Sequence, residues 1–268
     1  MTKKTMSLVA VLLLVLSLGL LPAAAAETEE NTIYVNIANA GKLEAAMEPI
    51  TLADADGDGA LTVNDALILI HDAKYEGGAA AGFATADSQY GPMITKLWGV
   101  ENGGSYGYYV NNTMSMGLTD PVAAGDVVYA FVYADAAGFS DAYSYFDKSQ
   151  AEIADGEELT LTLSKADGFD ANYAPIYKPL EGAVITVDGI ATQFVTDAEG
   201  KAVIKLESGS HIVSATAGET LLVPAVCAVA VQAAAAETSP ARTIGIILGI
   251  VVVIALIVVW MLKGKKKN

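Results

Sequence analysis

The sequence predicts an α+β fold class: a sheet domain carrying an inserted loop and helix, then a small all-β sandwich module and a single C-terminal transmembrane helix. Three observations predict the folded part. Residues 32–38 alternate apolar and polar side chains, as a half-buried strand does. Residues 63–70 repeat apolar side chains at helical spacing. Between residues 156 and 232, short strand-like runs alternate with turn residues, which is typical of a sandwich.

The two ends of the chain carry targeting and membrane signals. Lys3 and Lys4 precede an apolar run that ends in small residues, which is the pattern of a secretory signal peptide. Residues 244–262 carry no charge, and as a helix rising about 1.5 Å per residue they would extend about 28 Å, enough to cross a bilayer. The lysines that follow place the tail in the cytoplasm. The predicted localisation is therefore the cell membrane, with one pass and an extracellular ectodomain.

Composition sets the remaining boundaries. The predicted segments are a signal peptide (1–26), a disordered lead-in (27–31), a first domain (32–149), a sandwich module (150–232), a linker (233–243), a transmembrane helix (244–262) and a basic tail (263–268).

The charge of the predicted ectodomain limits its partners. Between residues 27 and 240 there are eight Lys and Arg residues against 31 Asp and Glu residues, a net charge of −23. Such a charge excludes nucleic acid and anionic lipid headgroups as partners. The one cysteine, Cys227, allows no internal disulfide, which fits a bacterial surface protein better than a small eukaryotic secreted domain.

Residues 54–65 form an acidic twelve-residue segment, the sharpest chemical signal in the chain. Side-chain oxygens fall at positions 1, 3, 5, 9 and 12, a backbone carbonyl at position 7 and glycine at position 6, which is the order of a calcium loop. The alternative is a solvated acidic turn. Thr62 is also placed to cap the helix that follows, with Asp65 as its partner. The predicted Ca²⁺ ligands are Asp54, Asp56, Asp58, Ala60, Thr62 and Asp65.

Residues 54–69 resemble one calcium repeat of a dockerin, a relative of the EF-hand. The sequence departs from the EF-hand at Asp65, where the usual residue is Glu, and from dockerins in having one repeat instead of two. The resemblance implies calcium binding. It leaves open whether a cohesin is a partner.

A second resemblance covers about residues 32–147. The motifs are Trp98-Gly99, Gly107-Tyr108-Tyr109-Val110-Asn111-Asn112 and Gly125-Asp126-Val127-Val128. They resemble the transcobalamin C-terminal-like domain of bacterial surface proteins, although Asn112 stands where that family usually has Gly. The resemblance implies a β-grasp-like sheet and makes a corrinoid one candidate ligand.

The aromatic residues of this region have two interpretations. Exposed aromatic side chains would give rigid contact area for a ligand, whereas adjacent strand residues point to opposite faces, so that some must fill the sheet's inner face. The sequence does not decide between a binding face and a core. The candidate ligand-binding residues are Trp98, Tyr106, Tyr108, Tyr109, Asn111 and Asn112.

Residues 179–206 resemble the transthyretin-like or CNA-B-like stalk modules of surface adhesins, which implies a spacer. The two histidines, His71 and His211, and the one cysteine form no recognisable nucleophile–base pair, so no enzymatic activity is expected. The predicted function is a calcium-stabilised, membrane-anchored extracellular binding or adhesion module for an unknown glycan, protein or corrinoid. The alternatives are a dockerin-like assembly element that binds a cohesin and a protein that captures corrinoids.

Overall fold

The structure is a computed structural model, which describes residues 31–171, 174–218 and 220–233. It contains 52% strand and 8% helix. The predicted α+β class is therefore wrong, and the protein is mostly β. The physical reason is that, within the described residues, helical periodicity is confined to one twelve-residue segment, which is followed by a five-residue helix of glycine and alanine.

The helices are α1 (Val63–Lys74) and α2 (Gly78–Gly82). The strands in chain order are β1 (Thr32–Asn39), β2 (Lys42–Thr51), β3 (Ala84–Ser88), β4 (Gly91–Lys96), β5 (Tyr106–Val110), β6 (Thr113–Met114), β7 (Val127–Val132), β8 (Ala142–Phe146), β9 (Gln150–Ala154), β10 (Glu158–Phe169), β11 (Pro175–Pro179), β12 (Val184–Val187), β13 (Ile190–Val195), β14 (Lys201–Lys205), β15 (Gly209–Thr216), β16 (Leu222–Val223) and β17 (Cys227–Gln232).

The first module is a five-stranded sheet in the order β2-β1-β7-β5-β6. Its central pair, β1 and β7, is parallel, and its outer pairs are antiparallel. Helix α1 covers one face, and the apolar side chains on its inner side are completely buried in a core shared with β1. The residues that meet there are Val63, Ala66, Leu67 and Ile70 from the helix and Ile33, Val35 and Ile37 from the strand. The acidic loop connects β2 to this helix. Strands β3 and β4 form a separate hairpin.

The second module is a sandwich of two sheets. One has the order β11-β10-β8-β16, with β14 also paired to β10, and the other has the order β13-β12-β15-β17-β9. Alternate residues of the strands fill the space between the sheets, including Leu161, Leu163, Ile185, Ile204 and Val213, all with no exposed surface. The prediction of a small all-β module is confirmed.

Strand β8 pairs with β10 and β16, so it belongs to the sandwich. The sequence predicts that these residues belong to the first domain, with its end at residue 149. The chain instead leaves the first sheet where β7 ends, at Val132.

The two modules meet through a buried aromatic layer, which we call the tyrosine seam: Tyr109, Tyr129, Phe131 and Tyr143. The first three belong to the first sheet, and Tyr143 belongs to β8 of the sandwich. Val223 and Val226 of the sandwich complete the layer.

The described residues give no support to the predicted single-pass membrane topology. Across residues 31–171, 174–218 and 220–233, no helix combines the length and the apolar character needed to cross a membrane. The predicted signal peptide (1–26) and the predicted span (244–262) lie outside the described residues.

Candidate functional site

Three of the predicted calcium ligands converge in the loop between β2 and α1. Asp54, Asp56 and Asp58 are exposed, and each offers one carboxylate oxygen within 4.8 Å of the others. Within the described part of the chain, no Lys, Arg or His nitrogen forms an ion pair with any of the three. The loop therefore gathers negative charge without a counter-charge from the protein.

The backbone folds around the side chain of Asp54. Its Oδ1 accepts hydrogen bonds from the amides of Gly57 and Asp58 at 2.8 and 3.1 Å, and its Oδ2 accepts one from Gly59 at 3.0 Å. Gly57 and Gly59 have φ values of +80° and +87°, which glycine adopts without the steric cost of a Cβ. These two positions allow successive amides to turn inwards.

Asp65 is not a member of the three-carboxylate group, although the sequence predicts it as a ligand. Its side chain is completely buried. Oδ1 accepts hydrogen bonds from the amides of Ala55 and Asp56 at 2.7 and 3.3 Å, and Oδ2 accepts from the amide and hydroxyl of Thr62 at 2.9 and 2.8 Å. Asp65 therefore joins the start of the loop to the start of the helix.

Thr62, also a predicted ligand, is the N-cap of α1 and forms the predicted capping box with Asp65. It is buried, with 3% of its surface exposed. Ala60, the predicted carbonyl ligand, donates its amide to Asp58 Oδ1 at 2.8 Å.

Asn64, in the first turn of α1, contacts the loop although the sequence does not predict it. Its Nδ2 donates to Asp56 Oδ2 at 2.7 Å, while its Oδ1 is buried and has no hydrogen-bond partner in the described structure. A polar residue next to the helix cap is common, so the sequence carried no signal for this contact.

The N-terminus of α1 is held by a distant segment. The amides of Val63 and Asn64 donate to the carbonyls of Asp120 and Leu118 at 3.0 and 2.9 Å. The carboxylate of Asp120 in turn accepts from the amide of Met116 at 2.8 Å. The order of the acidic loop is thus linked to residues 116–120.

His71 has a structural position at the other end of α1. It is completely buried; its Nδ1 lies 2.6 Å from the carbonyl of Leu67, and its Nε2 accepts the amide of Trp98 at 3.0 Å. Since a carbonyl only accepts, Nδ1 carries the proton and the ring is neutral. Burial lowers the pKa of His71, against smaller raising effects of the Leu67 carbonyl and of Asp72.

The candidate ligand-binding aromatics separate into two environments. Trp98 and Tyr108 are half-buried and pack against the first core. The hydroxyl of Tyr106 lies within hydrogen-bond distance of the carbonyls of Thr95 and Val100, at 2.8 and 2.9 Å. All three side chains thus contribute to the packing or hydrogen bonding of the first module.

Tyr109 is in the tyrosine seam. Its ring is stacked on that of Tyr143, with centroids 3.6 Å apart and planes inclined by 2°. Asn111 and Asn112 form the two-residue turn between β5 and β6, with φ values of +50° and +62°, as a type I′ hairpin requires. Tyr143 donates its hydroxyl to Asn112 Oδ1 at 2.9 Å.

Two further hydrogen bonds fasten the seam. Tyr129 donates its hydroxyl to the carbonyl of Pro224 at 2.5 Å, and Ser144 donates to the carbonyl of Val223 at 2.7 Å. Burial raises the pKa of Tyr129 and Tyr143 well above the usual value, so both hydroxyls stay protonated and can donate. The six candidate residues are therefore divided between the first core, the seam and one turn.

His211 and Cys227, the other two potentially reactive side chains considered above, are hydrogen-bonded or buried. His211 Nδ1 lies 2.8 Å from Asp188 Oδ2, and its Nε2 lies 3.0 Å from the carbonyl of Glu207. Both partners are acceptors, so the geometry favours the doubly protonated ring, and the Asp188 hydrogen bond raises the pKa of His211. Cys227 is buried, which raises the pKa of its thiol to about 12 and keeps it protonated.

Comparison with known proteins adds little to this description. No protein family model matches the chain, and no curated protein matches it. Among solved structures, the fibronectin(III)-like modules of Clostridium thermocellum CbhA are 16% identical, over 58% of this chain and 78% of that chain, with a TM-score of 0.29. A likeness this distant carries no information on ligand or activity. The resemblances to dockerin and to the transcobalamin C-terminal-like domain stay predictions.

Proposed function

We propose that this chain is a calcium-stabilised binding or adhesion module of the extracellular type, in which one Ca²⁺ ion organises the loop at residues 54–65. The observation that carries the proposal is the convergence of the carboxylates of Asp54, Asp56 and Asp58 within 4.8 Å. The ion would supply positive charge, and its effect would be on stability.

The donor set fits a hard cation. All three side chains offer carboxylate oxygens, which are the ligands that calcium prefers. An ionised carboxylate has about four acceptor positions, and the hydrogen bonds within the loop take three on Asp54, two on Asp56 and one on Asp58. Each side chain therefore keeps acceptor capacity for an ion.

The capping box would couple ion binding in the loop to the stability of α1. Asp56 donates its amide to Asp65, and Asp65 holds the first turn of α1. Neutralising the three carboxylates would relieve their mutual repulsion and so stabilise the loop that Asp65 joins to the helix. We expect an affinity of about 10⁻⁴ to 10⁻³ M, the range of extracellular calcium modules.

A binding role is favoured over catalysis by the state of the reactive side chains. Both nitrogens of His71 are hydrogen-bonded in the interior, and the thiol of Cys227 is buried. The assembly alternative, docking to a cohesin through the calcium helix, is not supported, because the apolar face of α1 is already packed on the first sheet.

The test compares thermal unfolding of the purified chain in millimolar calcium and in chelator. Asp54→Ala with Asp58→Ala is expected to lower the melting temperature by roughly 5 °C more in calcium than in chelator, because in chelator only the loop hydrogen bonds that these two carboxylates accept are lost. Isothermal titration calorimetry with calcium alone should show one site in the natural chain and none in the variant.

The matched control is Asp87→Ala with Glu199→Ala. These two exposed carboxylates take part in no side-chain hydrogen bond or ion pair in the described structure, and they lie outside the loop. This control removes the same charge and should keep the full calcium effect. Equal melting temperatures of the natural chain with and without calcium would contradict the proposal.

A further inference from the structure

Strand β9 is an open edge of the sandwich. Among the described residues, it lies at the end of its sheet and pairs only with β17. The amide of Ala228 donates to the carbonyl of Ser149 at 2.9 Å, and the amide of Asp155 donates to the carbonyl of Gln232 at 2.8 Å. Backbone N–H and C=O groups of successive residues point to alternate sides of a strand. The odd-numbered residues of β9 therefore direct their backbone groups towards β17.

The even-numbered residues of β9 therefore direct their backbone groups outwards. Gln150 and Glu152 each leave an amide and a carbonyl open along this edge. The backbone groups of Ala154 are already hydrogen-bonded: its amide donates to Glu157 Oε2 at 3.0 Å, and its carbonyl accepts a hydrogen bond from the Glu157 amide. The open stretch thus offers four backbone groups, spaced for another strand.

Two clefts flank the same stretch. The first, of about 440 Å³, lies on the outer face of the sheet, between the exposed side of β17 and Tyr34 and Met47 of the first module. The second, of about 420 Å³, opens towards the start of β10 and is lined by Ile153 and Leu159. Gln150, Ala151 and Glu152 line both clefts.

We propose that the open edge of β9 binds an extended, basic peptide segment of another protein by β-strand addition. The four open backbone groups would pair with the peptide backbone. Because side chains of a strand alternate between faces, successive peptide side chains would enter the first and the second cleft in turn. A cleft on each face of an unpaired edge is the arrangement that this mode of recognition uses.

The negative charge around the two clefts favours a basic peptide. The acidic residues that line the clefts are Glu152, Asp188, Glu157 and Glu158, against Lys148 and His211. Lys148 donates its ammonium group to the carbonyl of Thr160 at 3.1 Å, and His211 is paired with Asp188. The full chain has a net charge of −16.

The same charges disfavour a second copy of this chain on the edge. Pairing of β9 with β9 would bring Glu152 and its acidic neighbours against their own equivalents, and like charges across strands are destabilising. A peptide with alternating Lys residues has the complementary sign. This assignment names a partner class for the binding role proposed above, but it does not rest on the calcium loop, which lies in the other module.

The test uses the full chain and a fluorescent heptapeptide of alternating lysine and valine, with alternating glutamate and valine as the comparison peptide. Fluorescence anisotropy should show binding of the lysine peptide alone, weakened by salt and unchanged by chelator. Hydrogen exchange should show that the amides of Gln150 and Glu152 become protected in the complex. If calcium has no effect on stability but the peptide binds, the proposed ion fails and this inference stands.

The decisive variant is Glu152→Pro. Its missing amide faces the open edge, where proline is tolerated, so the sandwich should keep its melting temperature while the affinity falls at least about tenfold. Glu152→Gln keeps the amide and should weaken binding by no more than about fivefold, the effect of one exposed ion pair. Should the proline variant not fold, Glu152→Lys keeps the backbone and should transfer binding to the glutamate peptide.

Three outcomes would overturn the inference. The first is equal affinity of the folded proline variant for the lysine peptide, which would reduce the binding to general attraction by an acidic surface. The second is peptide binding without protection of the two amides. The third is concentration-dependent protection of these amides without peptide, which would assign the edge to a second copy of the chain.

Discussion

The acidic loop and the tyrosine seam show two opposite ways of ordering a chain. In the loop, exposed carboxylates within twelve residues are held by amides close in sequence. In the seam, buried rings from β5, β7 and β8 meet, and Tyr129 reaches a carbonyl 95 residues away. Under the proposed function the loop depends on charge compensation by an ion and affects one helix, whereas the seam depends on apolar burial and joins two modules. Stability should therefore respond to calcium at the loop and not at the seam.

Tyr143→Ala tests the seam side of this comparison and should have the largest effect on stability. This change removes the ring that stacks on Tyr109 and leaves a cavity between the modules, so we expect a loss of about 3–5 kcal/mol in the free energy of unfolding. Urea unfolding measures it, and the loss should be equal in calcium and in chelator. Tyr90→Ala, at a tyrosine that is 84% exposed, is the control and should change stability little. A small effect of Tyr143→Ala would mean that the seam does not join the modules.

A smaller effect, at the junction of the loop and α1, is expected for Asp65→Ala. The change leaves the amides of Ala55, Asp56 and Thr62 without their acceptor, which should cost about 2–3 kcal/mol. Because Asp65 lies outside the three-carboxylate group, most of the loss should persist in chelator, measured by urea unfolding. A loss seen only in calcium would instead make Asp65 an ion ligand, as the sequence predicts.

The smallest effects should come from the two histidines, and they have opposite signs. Burial lowers the folded pKa of His71 below its ordinary value of 6.5, so the unfolded chain binds the proton first. The stability of the natural chain should be complete above pH 6.5 and fall as the pH decreases towards the folded pKa. His71→Gln should remove this decrease, measured as melting temperature against pH.

For His211 the folded pKa is raised above 6.5 by Asp188. Its contribution should be complete below pH 6.5 and be lost as the pH rises through the folded pKa. His211→Gln should therefore flatten the alkaline side of the profile and leave the acid side intact. If both substitutions flatten the same side of the profile, the protonation states described above are wrong.

Local patterns in the sequence predicted the loop and the helix start. Thr62 and Asp65 are three residues apart, and a capping box needs only that spacing, so the structure confirms it. The predicted α+β class is wrong because one periodic helix, α1, stands beside a fold that is mostly strand. The geometry of the predicted ion ligands could be foreseen only in part, since spacing cannot show that Asp65 is turned inwards to accept hydrogen bonds from backbone amides.

The tyrosines show what local pattern cannot supply. Alternation along β5 indicates that Tyr108 and Tyr109 point to opposite faces, but not that one face is covered by the sandwich. That information lies in β8 and in Val223, far along the chain. For the same reason the sequence places the end of the first domain at residue 149, whereas β8 already pairs within the sandwich.

The position of Val223 and Pro224 in the chain has a consequence for synthesis on the ribosome. These residues supply the carbonyls that receive Ser144 and Tyr129, and they are translated long after the first sheet is complete. Until they emerge, the nascent first module presents Tyr109, Tyr129 and Phe131 uncovered. The joint between the modules thus forms late, and the exposed rings make this interval a time when the growing chain needs protection from aggregation.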